Sequence, residues 1–128
     1  MLLDTNALLW LVRDSPRLGP VSRDLIDDMK RVHYSPISIT EITIKHMLGG
    51  MPLPGGATFP EIFETSGLTE LPLRSDHAAA LLQFSTLVRH DPFDRMLLAQ
   101  AKHERLTLLT SDSTLLALDE DWIMDAQT

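Results

Sequence analysis

A chain of 128 residues, 44% hydrophobic and 23% charged, carries enough apolar material for one unaided core over residues 1–128, and no apolar run approaches the ~18 residues of a membrane span. The lack of cysteine and of a basic leader ahead of an apolar stretch argues against a disulfide scaffold, a zinc-thiolate site and a signal peptide, so the cytoplasm is the expected compartment. Eleven Lys and Arg against eighteen Asp and Glu leave a net charge of −7, which argues against loose, charge-driven binding to nucleic acid or membrane; any nucleic acid must be met locally, and a basic protein partner suits such a surface.

In chain order, Met1-Leu2-Leu3 reads as a very short strand ending at Asp4-Thr5-Asn6, and Ala7 to Val12 as a buried helix. After a loop punctuated by Ser15-Pro16 and Gly19-Pro20, Val21, Leu25, Met29 and Val32 recur at helical spacing and predict a second helix, followed by a brief strand at Val32-His33-Tyr34. Ser38-Ile39-Thr40-Glu41 matches the capping-box pattern, which places Glu41 in the first turn of a third helix that stops at Gly49-Gly50. Residues 51–56 are turn formers joining two helical segments. A short helix near Phe59, Ile62 and Phe63, a strand at Leu68–Leu71 and a helix capped by Ser75 and carrying Leu81, Phe84 and Val88 follow.

The most informative stretch is His90-Asp91-Pro92-Phe93-Asp94-Arg95 through Ala101. Asp91 stands where an N-cap belongs, Pro92 fills the first helical position, and Phe93, Met96, Leu97 and Ala101 repeat at helical spacing, which puts Asp94 in the first turn. Leu106–Thr110 then reads as a strand ending at Ser111-Asp112, followed by a short helix near Leu115-Leu116 and a last strand at Trp122–Met124. Strands alternating with helices imply an α/β fold, a mostly parallel sheet covered on both faces, with its site beyond the carboxyl ends of the strands.

Asp4, Glu41, Asp94 and Asp112 can all reach that edge. Each also has a structural role open to it: Asp4 as an N-cap, Glu41 as a capping-box residue or partner of Lys45, Asp94 as a complement to the helix dipole, and Asp112 as the cap of the last short helix. Four carboxylates at one edge repel unless a cation lies between them. Oxygen ligands without cysteine or a His-x-x-x-His pair suit Mg²⁺ or Mn²⁺, which can activate water and neutralise charge on a phosphodiester. The five histidines are scattered; His46 and His90 are within reach of a substrate, with ordinary structural roles the expectation.

Taken together, Leu3-Asp4-Thr5-Asn6, Glu41-Ile42-Thr43-Ile44-Lys45, the stretch from His90 to Ala101, and Leu108-Leu109-Thr110-Ser111-Asp112 resemble PIN-domain ribonucleases of the VapC type, the toxins of bacterial toxin–antitoxin modules. The resemblance implies a three-layer α/β/α fold with a five-stranded parallel sheet, Mg²⁺- or Mn²⁺-dependent cleavage of RNA, homodimerisation and inhibition by a cognate antitoxin. Carried over, Asp4 and Asp94 would be the principal metal ligands, and Glu41 and Asp112 would complete the acidic catalytic pocket. Thr5, Asn6 and Thr110 would orient acids or phosphate, although they serve equally as turn and cap formers. Arg95 would pair with an acid of the cluster, in preference to contacting RNA. Thr40 stands where close relatives often carry Trp, and the first strand is shorter than usual. Two other readings are a non-catalytic PIN module that only binds protein or RNA and, more remotely, a phospho-receiver domain, which would need an adjacent acidic pair after the first strand.

Overall fold

The computed structural model describes residues 1–128. Its centre is β1 (Leu2–Leu3), whose two residues are wholly buried and pair in parallel with β2 (His33–Tyr34) on one side and β4 (Leu108–Thr110) on the other. With β3 (Thr69–Glu70) beside β2 and β5 (Ile123–Asp125) beside β4, the five strands run in the order β3-β2-β1-β4-β5, all parallel. The expected five-stranded parallel sheet is therefore present. A receiver-type sheet has the order 2-1-3-4-5, so the phospho-receiver reading is set aside.

Alternation along each strand divides the core between the two faces. Leu3 and Leu109 point into one cluster, with Ala7, Leu8, Ile26, Ile42 and Phe63. Leu2 and Leu108 point into the other, with Ile37, Leu97, Leu98, Ala101 and Leu115. Helices α1 (Thr5–Val12), α2 (Pro20–Asp28) and α4 (Ile62–Thr65) supply the first layer, while α6 (Pro92–Glu104) and α7 (Ser113–Leu116) cover the opposite face. None of these helices is long and apolar enough to cross a membrane.

Three helical expectations are corrected. The second helix ends at Asp28, and Val32 is buried from the strand side, because its carbonyl accepts the Thr69 N–H at 2.9 Å in the sheet ladder. The helix containing Glu41, α3 (Pro36–Met47), starts five residues before that glutamate. Ser35 caps it by accepting the Ile37 N–H at 3.1 Å, and Pro36 occupies the first position. Glu41 is thus in the middle of a helix rather than in its first turn. The long helix expected after Ser75 is instead α5 (Ser75–Ala79), with Arg74 rather than Ser75 at the cap, followed by a 3₁₀ segment at Ala80–Leu87 that breaks its helical geometry at Phe84 (φ −120°, ψ 46°).

Ser35 has a second role. Its hydroxyl also donates to Gln100 Oε1, while Gln100 Nε2 donates to the Leu71 carbonyl at 3.3 Å, so one buried amide ties α3, α6 and the segment after β3 together. Ser35→Ala removes the cap and leaves Gln100 Oε1 unsatisfied. A loss of about 1–3 kcal/mol is expected, measured by urea unfolding, with the slope on urea unchanged.

Candidate metal centre

In a sheet of this order the connection changes direction between β1 and β4, and the crevice beyond their carboxyl ends is where ligands of open α/β folds bind. A cavity of about 320 Å³ lies there, lined by Asp4, Thr5, Asn6, Glu41, Lys45, Asp91, Asp94, Ser111, Asp112 and Ser113, without a single hydrophobic residue. All four predicted acids line it. Each arrives from a different element: Asp4 from the end of β1, Glu41 from α3, Asp94 from the first turn of α6, and Asp112 from the cap of α7.

Asp4 is the most firmly held. Its Oδ1 accepts the Ala7 N–H at 2.7 Å as the cap of α1, and its Oδ2 accepts the Thr110 hydroxyl at 2.7 Å and the Ser111 N–H at 3.0 Å. Burial raises its pKa, opposed by these hydrogen bonds and assisted by the charge of Glu41. Thr110 Oγ1 also accepts the Asp112 N–H at 3.0 Å, so one threonine fixes both strand-end acids. The Thr5 hydroxyl donates to Ser38 Oγ at 3.0 Å, and the Asn6 amide donates to Ser111 Oγ at 3.0 Å. These side chains set the shape of the mouth.

The other three acids are held differently. Glu41 Oε2 accepts from Lys45 Nζ at 2.7 Å, which raises the Lys45 pKa, while Glu41 Oε1 is buried without a hydrogen-bond partner. Asp112 Oδ1 caps α7 by accepting the Leu115 N–H at 2.9 Å, and its Oδ2 faces His90 Nε2 at 3.2 Å. Asp91 Oδ1 accepts the Phe93 N–H at 2.8 Å, leaving Asp94 free of capping duty. Burial, followed by the charges of Asp112 and Asp91, pushes the Asp94 pKa up from 3.8 to about 8.

Such a carboxyl keeps a proton, or trades it for a cation. A half-buried group of hard oxygens, an orphaned glutamate oxygen and a single ammonium among the lining residues fit a divalent ion of the Mg²⁺ or Mn²⁺ type, with Asp4, Glu41, Asp94 and Asp112 as the available donors.

Arg95 does not join them. Its neighbour Asp94 points into the cavity, and consecutive helical residues project about 100° apart, so Arg95 lies instead along a groove with Leu81, Leu82, Phe84, Ser85 and Val88. Its Nε is buried without a partner and no acid pairs with it, contrary to the ion pair expected for it. Four lining residues were not among the candidates: Lys45, Asp91, Ser111 and Ser113. The i, i+4 relation of Lys45 to Glu41 was the readable signal for the first, and direct adjacency to Asp112 for the two serines.

The protein is thus an α/β protein with an acidic pocket at the switch point of a parallel sheet. The family model described as PIN domain matches residues 1–121, so the chain belongs to the PIN domain family. Among solved structures, a chain of a toxin–antitoxin complex from Klebsiella pneumoniae superposes with a TM-score of 0.65 at 17% identity, covering 98% of this chain and 96% of that one. A chain of VapBC2 from Rickettsia felis, bound to a DNA fragment from its promoter, gives a TM-score of 0.67 at 13% identity, covering 96% and 94%. At those identities the likeness is one of fold. No curated protein matches the chain.

Proposed function

We propose that this protein is a metal-dependent endoribonuclease, the toxin of a toxin–antitoxin pair, acting in the cytoplasm as one domain over residues 1–128. The observation that carries this reading is the convergence of Asp4, Glu41, Asp94 and Asp112 on one cavity with no apolar lining, in a PIN-family chain. Asp4 and Asp94 are its principal metal ligands, and Glu41 and Asp112 complete the catalytic set. A bound Mg²⁺ or Mn²⁺ supplies Lewis acidity toward water and the scissile phosphodiester. The chain's own residues do the rest. Thr110 and Ser111 hold Asp4 in place, the α7 cap holds Asp112, and Asn6 and Ser111 shape the entrance through which a single strand of RNA reaches the acids.

The partners follow from charge and surface. An arginine from a basic antitoxin suits the pocket, since a guanidinium among carboxylates replaces the cation's charge with bidentate hydrogen bonds. Homodimerisation draws support from exposed apolar side chains, Leu82 at 85% and Val88 at 66% exposure, beside the groove that holds Arg95.

Purified protein is expected to cut single-stranded RNA in Mg²⁺ or Mn²⁺ and to stop in chelator, read on a gel with end-labelled substrate. Cleavage that persists in chelator contradicts the reading. Intact RNA in every divalent ion, with binding retained, points to a non-catalytic PIN module instead.

A further inference from the structure

Two clusters bring three metal-capable side chains within 4.8 Å of one another: His77 with His103 and Glu104, and His90 with Asp94 and Asp112. Their imidazoles differ in the lone pairs they have left. His77 Nδ1 accepts the Arg74 backbone N–H at 3.0 Å, so the ring proton is on Nε2, where it is donated to Glu104 Oε1 at 2.7 Å. An ion on that nitrogen requires a ring stripped of both protons, and the cluster is a closed hydrogen-bond chain.

His90 is open where His77 is closed. Its side-chain contacts run through Nε2 alone, to Asp112 Oδ2 at 3.2 Å and Asp94 Oδ2 at 3.8 Å. With the proton on Nδ1, the Nε2 lone pair faces both carboxylates. Neighbouring ligands bound at about 2.1 Å to one octahedral ion lie about 3 Å apart, so these separations are within a small adjustment of sharing one cation. An independent observation points to a missing ligand in the cavity lined by Asp94 and Asp112, the two acids that His90 Nε2 faces. The Glu41 side chain is only 9% exposed, and its Oε1 has no hydrogen-bond partner. A buried anionic oxygen without a donor calls for a cation.

We infer that His90 supplies a nitrogen ligand to the divalent cation of the acidic pocket, so that the site takes Mn²⁺ in preference to Mg²⁺. The inference rests on the metal-dependent reading above and narrows it. Carboxylates alone suit Mg²⁺ and Mn²⁺ alike, whereas an imidazole nitrogen favours the transition-metal ion, and Mg²⁺ keeps to oxygen and water. Sequence reading missed this because a lone histidine beside a helix cap has no ligand spacing of its own. It becomes one only through Asp112, 22 residues away.

The test is pulsed electron paramagnetic resonance on the full chain, stripped with chelator and loaded with Mn²⁺, together with calorimetric titrations of Mn²⁺ and Mg²⁺. Wild-type protein is expected to show modulation from a directly bound imidazole ¹⁴N, and His90→Gln to lose it. In the variant, Mn²⁺ affinity is expected to fall at least about tenfold and Mg²⁺ affinity by less than about threefold. Glutamine keeps an N–H for Asp112, so a positioning role alone leaves both affinities unchanged, and that outcome overturns the inference. So does wild-type Mn²⁺ protein without nitrogen modulation. RNA cleavage by the same samples separates the two readings: cleavage without the nitrogen signal overturns only the ligand assignment, and a nitrogen signal without cleavage upholds the ligand and overturns the nuclease.

Discussion

Asp94→Asn is expected to lower metal-dependent RNA cleavage at least about 100-fold while leaving the metal-free fold as stable as the wild type or more so. The two halves of that result distinguish a ligand from a helix-terminus charge. If Asp94 served only to complement the dipole of α6, its removal would cost about 0.3–1 kcal/mol whether or not a cation is present. Asp91 already caps the helix, and Asp94 sits beside Asp112 and Asp91 in a partly buried cavity, so the metal-free protein must either bear its charge or take up a proton to fold. Asparagine needs neither. Adding Mg²⁺ or Mn²⁺ should stabilise the wild type by mass action, about 2.7 kcal/mol at one hundred times the dissociation constant, and the variant should lose most of that gain. Thermal melts of both proteins, in chelator and across a metal titration at fixed ionic strength, read all four quantities. A variant destabilised equally in both conditions, with its metal response intact, would return Asp94 to a purely structural role.

In chelator, fold stability is expected to fall as pH rises from about 4 to about 8. The folded-state pKa of Asp94 lies at about 8 against an ordinary 3.8, so between those values the folded chain holds a proton that the unfolded chain has released. Stability declines with pH wherever the native state binds more protons, and the contribution is complete below the unfolded value and lost as pH passes through the folded one. Asp4, also raised, acts in the same sense, while His33, lowered by burial, and Glu104, lowered by its hydrogen bond with His77, act in the opposite sense and reduce the net slope. The total is on the order of a few kcal/mol, several degrees in melting temperature for a chain of this size. Asp94→Asn should flatten most of the slope and leave the part due to Asp4. Saturating Mn²⁺ should also flatten it, since the cation takes the proton's place. Melting curves at half-unit intervals check the sign, and stability rising across this range would mean that the acids are paired rather than crowded.

What the sequence made legible was chemistry tied to caps. Asp4, Asp91 and Asp112 each follow or precede an apolar segment at the position where a side-chain oxygen meets free N–H groups, and each caps its helix as read. The strand alternation of Leu2 with Leu3, and of Leu108 with Leu109, places the two faces of the sheet without further information. The errors arose where two local signals competed. Ser38 to Glu41 and Ser35-Pro36 are both acceptable helix starts. Burial of Ser35 against Gln100, a contact across 65 residues, favours the earlier one, and this moves Glu41 into mid-helix, where it points at the pocket. Leu81, Phe84 and Val88 keep helical spacing through a break at Phe84 that periodicity cannot register. The acid pair expected for Arg95 and the contact of His90 with Asp112 were beyond local reading for the same reason: their surroundings are made by tertiary packing, with the 3₁₀ segment for one and with Asp112 for the other.

If a cation held by these acids is what permits RNA cleavage, metal occupancy and activity must share a midpoint. Single-turnover cleavage of end-labelled RNA is followed as a function of free Mn²⁺, and Mn²⁺ binding to the same preparation is followed by calorimetry. Activity and occupancy are expected to rise with the same midpoint, and both to be lost together in Asp94→Asn. Cleavage that is already full in chelator, or that survives in a variant no longer able to bind the ion, would contradict that role of the cation.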